Sequence, residues 1–309
     1  MRTRFIDTVV GECATRDDLM VLSGDAGLGV FDGLQRDFPD RFLNLGIAEQ
    51  NMAGFAAGMA LTGFKVFVYN IIPFVLYRCY EQVRNDICQQ RLPVVLVGTG
   101  SGITYAPAGV SHYAVEDIGL ARTLPNLTVI SPADPLEAKA AARYALTARE
   151  PVYVRLAKSG EPTLTPEEVD DITAPRVVRE GSDIAILFHG SIADEVVAAR
   201  DALAAEGVRP LLVSVPLLQP LRGEMLRELL KGMKGVISVE EHFADMGLGG
   251  ILKCLHATVR PPWNLRTMGV PDRFIHEVCD RGRMRERLGI SSADIAAAVR
   301  ERHREIAHG

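Results

Sequence analysis

The sequence predicts an α/β protein of two domains, each a mostly parallel sheet flanked by helices. Three observations carry that reading. Apolar runs of four to six residues alternate with longer helix-patterned stretches along the whole chain of 309 residues, the pattern that strand and crossover-helix units write into a sequence. The alternation falls into two series, as the size range of a single core also suggests. Between the series, residues 158–181 (KSGEPTLTPEEVDDITAPRVVREG) turn polar and proline-containing, the composition of an interdomain crossing. The expected division is a first domain over 1–165, a linker over 166–180 and a second domain over 181–309.

The first series places strands at LMVLSG (Leu19 to Gly24), KVFVY (Lys65 to Tyr69), PVVLVG (Pro93 to Gly98), LTVIS (Leu127 to Ser131) and PVYVRL (Pro151 to Leu156), with helices between them. One helix start is explicit in DPLEAKAAARYAL: Asp134 is a cap candidate, Pro135 takes the first helical position, and Glu137 stands three residues after the cap. The second series reads DIAILFHG, a helix from Ala193 to Glu206, PLLVSV, a helix from Glu224 to Met233, GVISVEE, and a last helix from Ser292 to about Glu305. No internal repeat or low-complexity segment interrupts it.

Composition narrows the classes. The chain is 48% hydrophobic and 24% charged, enough apolar content for packed cores. Lys and Arg number 34 against 39 Asp and Glu, a net charge of -5, which is too mild for a polybasic nucleic-acid binder. The first residues lack the apolar stretch of a signal peptide, and no run reaches the ~18 apolar residues of a membrane span. A soluble cytoplasmic protein with neither nucleic acid nor membrane as partner is expected. Five scattered cysteines (Cys13, Cys79, Cys88, Cys254, Cys279) form no CxxC pair and suit reduced thiols. Mean hydropathy of +0.11 points to large cores or to surface that a partner buries.

The most informative segment is LGIAEQNMAGFAAGMALTGF, where Glu49 opens a helix filled with Ala53, Gly54, Ala56, Ala57, Gly58 and Ala60. Each glycine costs a helix about 1 kcal/mol against alanine, so the pattern implies a close approach to a neighbour. Taken alone, Glu49 reads as a carboxylate favoured by the helix dipole. With RCYEQVRNDI, GVSHYAVEDIGLARTLPNLTVISPADPLEA, PVYVRL and the closing LGISSADIAAAVRE, however, the run resembles the thiamine-diphosphate enzymes of the transketolase family over nearly all of the chain.

The resemblance is to the pyrimidine-binding domain and the C-terminal domain of that family. The Gly-Asp-Gly element and later Asn with which the family holds the cofactor diphosphate and its metal have no counterpart; GTGSG (Gly98 to Gly102) and GLGG (Gly247 to Gly250) lack the acidic residue and read as turns. The resemblance therefore implies the C-terminal subunit of a split transketolase. A separate N-terminal diphosphate-binding subunit would hold the diphosphate and Mg2+ (or Ca2+), no metal ligand would come from this chain, and two copies of each would form a heterotetramer acting on sugar or sugar-phosphate substrates.

Residue by residue, the resemblance makes Glu49 the glutamate that hydrogen-bonds the aminopyrimidine ring and promotes its imino tautomer. Phe74 stacks on the pyrimidine with Arg78 four residues on, or else is plain core beside Ile71, Ile72 and Val75. Asp25, in SGDAG, stands near the cofactor and the neighbouring subunit, or makes an Asx turn. His112 faces the donor substrate as a proton-transfer group, and Arg155 binds a substrate anion or forms a salt bridge. Two family substrate contacts are replaced, an aspartate by Ala108 and a phosphate-contacting histidine by Gly100. Ala108 leaves room for a second reading, a decarboxylating carboligase or a 2-oxoacid dehydrogenase beta-type subunit. A non-catalytic scaffold subunit fits the retained Glu49 less well, and SGDAGLGVFDG lacks the glycine spacing of a nicotinamide-binding enzyme. The remaining histidines show no metal-ligand spacing; His242, flanked by Glu240 and Glu241, is the one to watch against an ordinary loop role.

Overall fold

A computed structural model describes residues 1–158 and 160–308. The strands are β1 (Leu19–Ser23), β2 (Phe42–Asn44), β3 (Lys65–Ile71), β4 (Val94–Thr99), β5 (Thr128–Ile130), β6 (Val152–Leu156), β7 (Arg176–Arg179), β8 (Ile184–Phe188), β9 (Leu211–Ser214), β10 (Leu217–Gln219), β11 (Gly235–Phe243) and β12 (Asn264–Val270). They form a seven-stranded sheet of order β10-β5-β6-β4-β3-β1-β2 and a five-stranded sheet of order β12-β11-β8-β9-β7. Every pairing is parallel except β10 with β5 and β7 with β9.

The central strands β4 and β6 are buried at every position, as parallel strands covered on both faces must be. Two details correct the expected division of the chain. The range read as a linker contains β7, which pairs with β9 at the edge of the second sheet. Strand β10, from the second half of the chain, crosses back to pair with β5 of the first sheet. The seam is apolar as well as hydrogen-bonded, since one core cluster runs from Val68, Leu96 and Tyr153 of the first sheet to Leu187, Val213 and Leu252 of the second domain.

The capping signature at Asp134 is realised. Its carboxylate accepts the Glu137 backbone N–H at 2.8 Å, while the Glu137 carboxylate accepts the Ala133 N–H at 2.7 Å, a reciprocal box at the head of helix Pro135–Thr147. Both carboxylates also reach the second domain's first strand through Arg176. All five cysteines are free. Among the described residues no helix is long and apolar enough to cross a membrane.

Candidate active site

Six parallel strands of the first sheet end on one edge, and the loops leaving that edge carry almost every candidate residue. Ligands of parallel sheets bind outside the carboxyl ends of the strands for this reason: successive crossovers deliver loops, helix N-termini and free backbone groups to the same side. Asp25 follows β1, Glu49 opens the helix after β2, Phe74 and Arg78 follow β3, and His112 follows β4.

Glu49 begins helix Glu49–Leu61 and is 4% exposed. Its Oε2 accepts a hydrogen bond from Arg78 Nη1 at 2.9 Å, and its Oε1 has only a long 3.5 Å contact with the Asn70 amide. The helix dipole favours the charged carboxylate, and Oε1 retains acceptor capacity. Phe74 lies in a π-helical turn, Pro73–Tyr77, a local widening of the helix often found at functional sites. Its ring carries the Arg78 guanidinium, with Cζ 4.4 Å from the centroid, and meets the His112 ring edge-on at 5.7 Å. Ser111 Oγ lies 2.9 Å from His112 Nδ1, which leaves Nε2 as the ring nitrogen open to a ligand. Glu49, Arg78, Phe74 and His112 thus form one continuous line of contacts. Asp25 is exposed in the loop after β1, and no contact joins it to that line.

Arg155 belongs elsewhere, which corrects its assignment to a substrate anion. It is 1% exposed, donates from Nε to Asp117 Oδ2 at 2.7 Å, and donates from Nη2 to the carbonyls of Ala114 and Glu241 at 2.8 and 3.0 Å. The alternative of an interface salt bridge is the one realised: the guanidinium ties the first domain to the second. Around it lie other fully buried ionisable groups. Glu241 accepts from Arg281, Arg285 and Ser191, and although burial alone would raise its pKa, the two guanidinia hold it down to about 2. His242 donates from Nδ1 to the Phe243 carbonyl at 3.1 Å and accepts the Ile118 N–H on Nε2 at 3.1 Å. That fixes a neutral imidazole capping helix Asp117–Arg122, and burial keeps its pKa below the usual value. His242 is therefore a structural fastener.

Two residues near the line escaped the sequence reading. Tyr105 meets the His112 ring at 6.0 Å, and Lys158 holds its Nζ 5.2 Å from the Tyr105 centroid. Lys158 sits just beyond β6, so its place at the carboxyl edge was available from strand order, but its pairing with Tyr105 runs only through space. Among the described residues no group of three or more His, Cys, Asp and Glu side chains is arranged to hold a metal ion.

A two-domain α/β fold with a buried glutamate, an aromatic ring and a histidine at the carboxyl edge of the larger sheet defines a class of cofactor-dependent group-transfer enzymes. Comparison with known proteins narrows the class. Residues 1–162 match the family model for the transketolase pyrimidine-binding domain, and residues 174–295 match that for the transketolase C-terminal domain. One of the two subunits of the apulose-4-phosphate transketolase of Actinobacillus succinogenes is 35% identical over 84% of this chain and 84% of its own length. The 6-deoxy-6-sulfo-D-fructose transketolase subunit SqwH of a Clostridium species is 31% identical over 97% and 94%. A solved structure described as a split gene transketolase, inactive beta4 tetramer, superposes with a TM-score of 0.86 at 31% identity, covering 97% of this chain and 96% of that one. The chain belongs to the transketolase family, whose members are thiamine-diphosphate-dependent transferases, and corresponds along its length to the C-terminal subunit of split transketolases.

Proposed function

We propose that this chain supplies the pyrimidine side of the thiamine diphosphate site in a two-component transketolase that moves a two-carbon ketol unit from a ketose donor to an aldose acceptor. The observation that carries this reading is the nearly inaccessible Glu49 carboxylate at a helix N-terminus, in line with Phe74 and His112 on the same sheet edge. A buried carboxylate with a spare acceptor position beside an aromatic face suits a flat, hydrogen-bonding heterocycle such as the aminopyrimidine.

Bound thiamine diphosphate supplies a thiazolium carbon that becomes nucleophilic on losing its proton. Glu49 shares a proton with the pyrimidine ring nitrogen and so controls the tautomer of the exocyclic amine. Phe74 offers the face on which the ring stacks, and Arg78 holds the carboxylate oriented. His112 takes and returns the donor hydroxyl proton through Nε2 while Ser111 fixes Nδ1. Asp25 lies at the boundary with the neighbouring subunit. The diphosphate and Mg2+ fall to an N-terminal subunit, and two chains of each kind make the assembly. Exposed Leu28, Ile47, Phe55 and Leu61 border the same edge, apolar surface of the kind a partner covers.

A second reading is a decarboxylating carboligase. Ala108, exposed where the family places an aspartate on the donor hydroxyl, favours it, and 1-deoxy-D-xylulose-5-phosphate synthase 1 of Geobacter sulfurreducens is 33% identical over 86% of this chain, which spans 42% of that protein. Donor use by the pair reconstituted with its diphosphate-binding subunit separates the two. Ketol transfer from a ketose supports the transketolase, whereas carbon dioxide release from a 2-oxoacid without ketol transfer overturns it.

A further inference from the structure

Granted a donor pocket beside His112, on which the inference rests, the residue that selects the donor can be sought among the neighbours of that ring. Gly100 follows β4 with φ +86°, and a Cβ at this position would fall inside the Tyr105 ring, on Cδ2 and Cε2. Position 100 and the Tyr105 ring therefore compete for one space. A side chain at 100 requires the ring to leave, and the ring requires glycine.

The ring's other neighbours are functional. On one side stands His112, at 6.0 Å and 69° between ring planes; on the other is the Lys158 ammonium, 5.2 Å from the centroid and within cation–π range. Lys158 is exposed, and while Lys139, Lys234 and Lys253 pair with carboxylates, Lys158 pairs with none among the described residues. The half-buried Tyr105 hydroxyl makes no hydrogen bond among the described residues, so packing and charge rather than a polar tether hold the ring.

We propose that Tyr105 is the specificity-determining residue of the donor pocket: its ring occupies the place of a side chain at position 100 and forms the surface between His112 and Lys158, selecting a ketose whose terminal phosphate crosses the ring to reach the ammonium. One end of the donor is set by proton transfer at His112. The other end is set by a single cation whose position the aromatic face fixes.

The test uses the reconstituted holoenzyme with two donors, a ketopentose 5-phosphate and the same ketopentose without phosphate. Wild type prefers the phosphorylated donor; Tyr105→Ala cuts that preference about tenfold, chiefly through KM for the phosphorylated donor, while Tyr105→Phe retains it because the ring is what matters. Gly100→His shows the same loss, and adding Tyr105→Ala to it recovers about threefold or more, a non-additivity expected only if the two positions share one space. Equal losses on both donors in Tyr105→Ala, or a Gly100→His enzyme as selective as wild type, overturns the proposal. Melting temperatures of the same four chains read the competition without turnover: Gly100→His melts lower and the double variant regains part of the loss, whereas strictly additive shifts overturn the shared space. A wild-type pair that transfers no ketol unit from either ketose overturns the functional reading and the donor role with it, and the melting cycle still reports separately on the packing.

Discussion

The rim around Glu49 and the seam between the two sheets both gather charged side chains, and they treat charge in opposite ways. At the seam, Asp117, Arg155, Glu240, Glu241, His189 and His242 are all buried, and their hydrogen bonds run mostly to one another and to backbone. At the rim, Glu49 is covered mainly by Arg78, an exposed side chain lying on an aromatic ring. Large pKa shifts cluster at the seam: burial, with Arg155 adding, pushes His189 down to about 3, and burial drives Glu137 up to about 7 against the pull of Arg176. Perturbed titration is often a guide to catalytic residues, but a structural ion network produces it too, and here it marks the joint. The line of groups suited to chemistry is the one built from ordinary surroundings and left open on one side.

The largest effect that can break this contrast is at Glu49. Glu49→Gln keeps a hydrogen bond and removes the proton, so turnover of the assembled enzyme should fall about 10²- to 10⁴-fold. Because the rim is not what holds the fold together, the melting temperature should stay close to wild type. Loss of stability in parallel with activity would make Glu49 another seam-like structural residue.

Arg155 gives the mirror-image experiment. Removing one partner of a buried ion pair leaves the other charge stranded, so Arg155→Ala should cost roughly 3–5 kcal/mol of stability. Denaturant unfolding measures it, and activity in the surviving folded fraction should fall far less than in Glu49→Gln. Full stability with a raised KM would return Arg155 to the substrate site.

The seam should also give stability an acid limb. His189 is neutral and buried, with a folded pKa near 3 against about 6.5 when unfolded. The unfolded chain therefore binds the extra proton first; this contribution is complete above about pH 6.5 and is lost as pH falls toward 3. Glu137, raised to about 7, acts in the opposite sense, stabilising below its unfolded value and losing that contribution as pH rises through 7. Comparing wild type with His189→Asn cancels the Glu137 effect: between pH 7 and pH 5 the melting temperature of wild type should drop more steeply than that of the variant. Parallel slopes would mean that His189 is not buried neutral.

The same division explains what could be read from the sequence. Strands β1, β3, β4, β5, β6, β8, β9 and β11 are legible because their positions are almost all buried, which demands unbroken apolar runs. The four missed strands, β2, β7, β10 and β12, are the four sheet edges, where composition is mixed and pairing is one-sided. Glu49, Phe74 and His112 stand out because contiguous motifs carry them. Arg155 misled for a physical reason that was available: an arginine inside PVYVRL, a strand buried on both faces, has to find an internal carboxylate, and it finds Asp117. Tyr105 and Lys158 gave no such signal because 53 residues of sequence separate two side chains that meet only through the fold.

The smallest effect sharpens the comparison from the rim's side. Gly58 lies on the exposed face of helix Glu49–Leu61, and a Cβ there meets nothing within 4 Å. In the chain by itself, Gly58→Ala should therefore stabilise the helix by about 0.5–1 kcal/mol, a melting increase of roughly 2 °C. A glycine kept at that cost on a solvent-facing helix has a use if a neighbour approaches the backbone closely, and the same substitution should then weaken assembly with the diphosphate-binding subunit or with a second copy, measured by sedimentation. Stabilisation without any loss of assembly would mean that the small-residue face is not where the subunits meet, and that the close approach lies instead with Leu28 and Ile47 on the neighbouring loops.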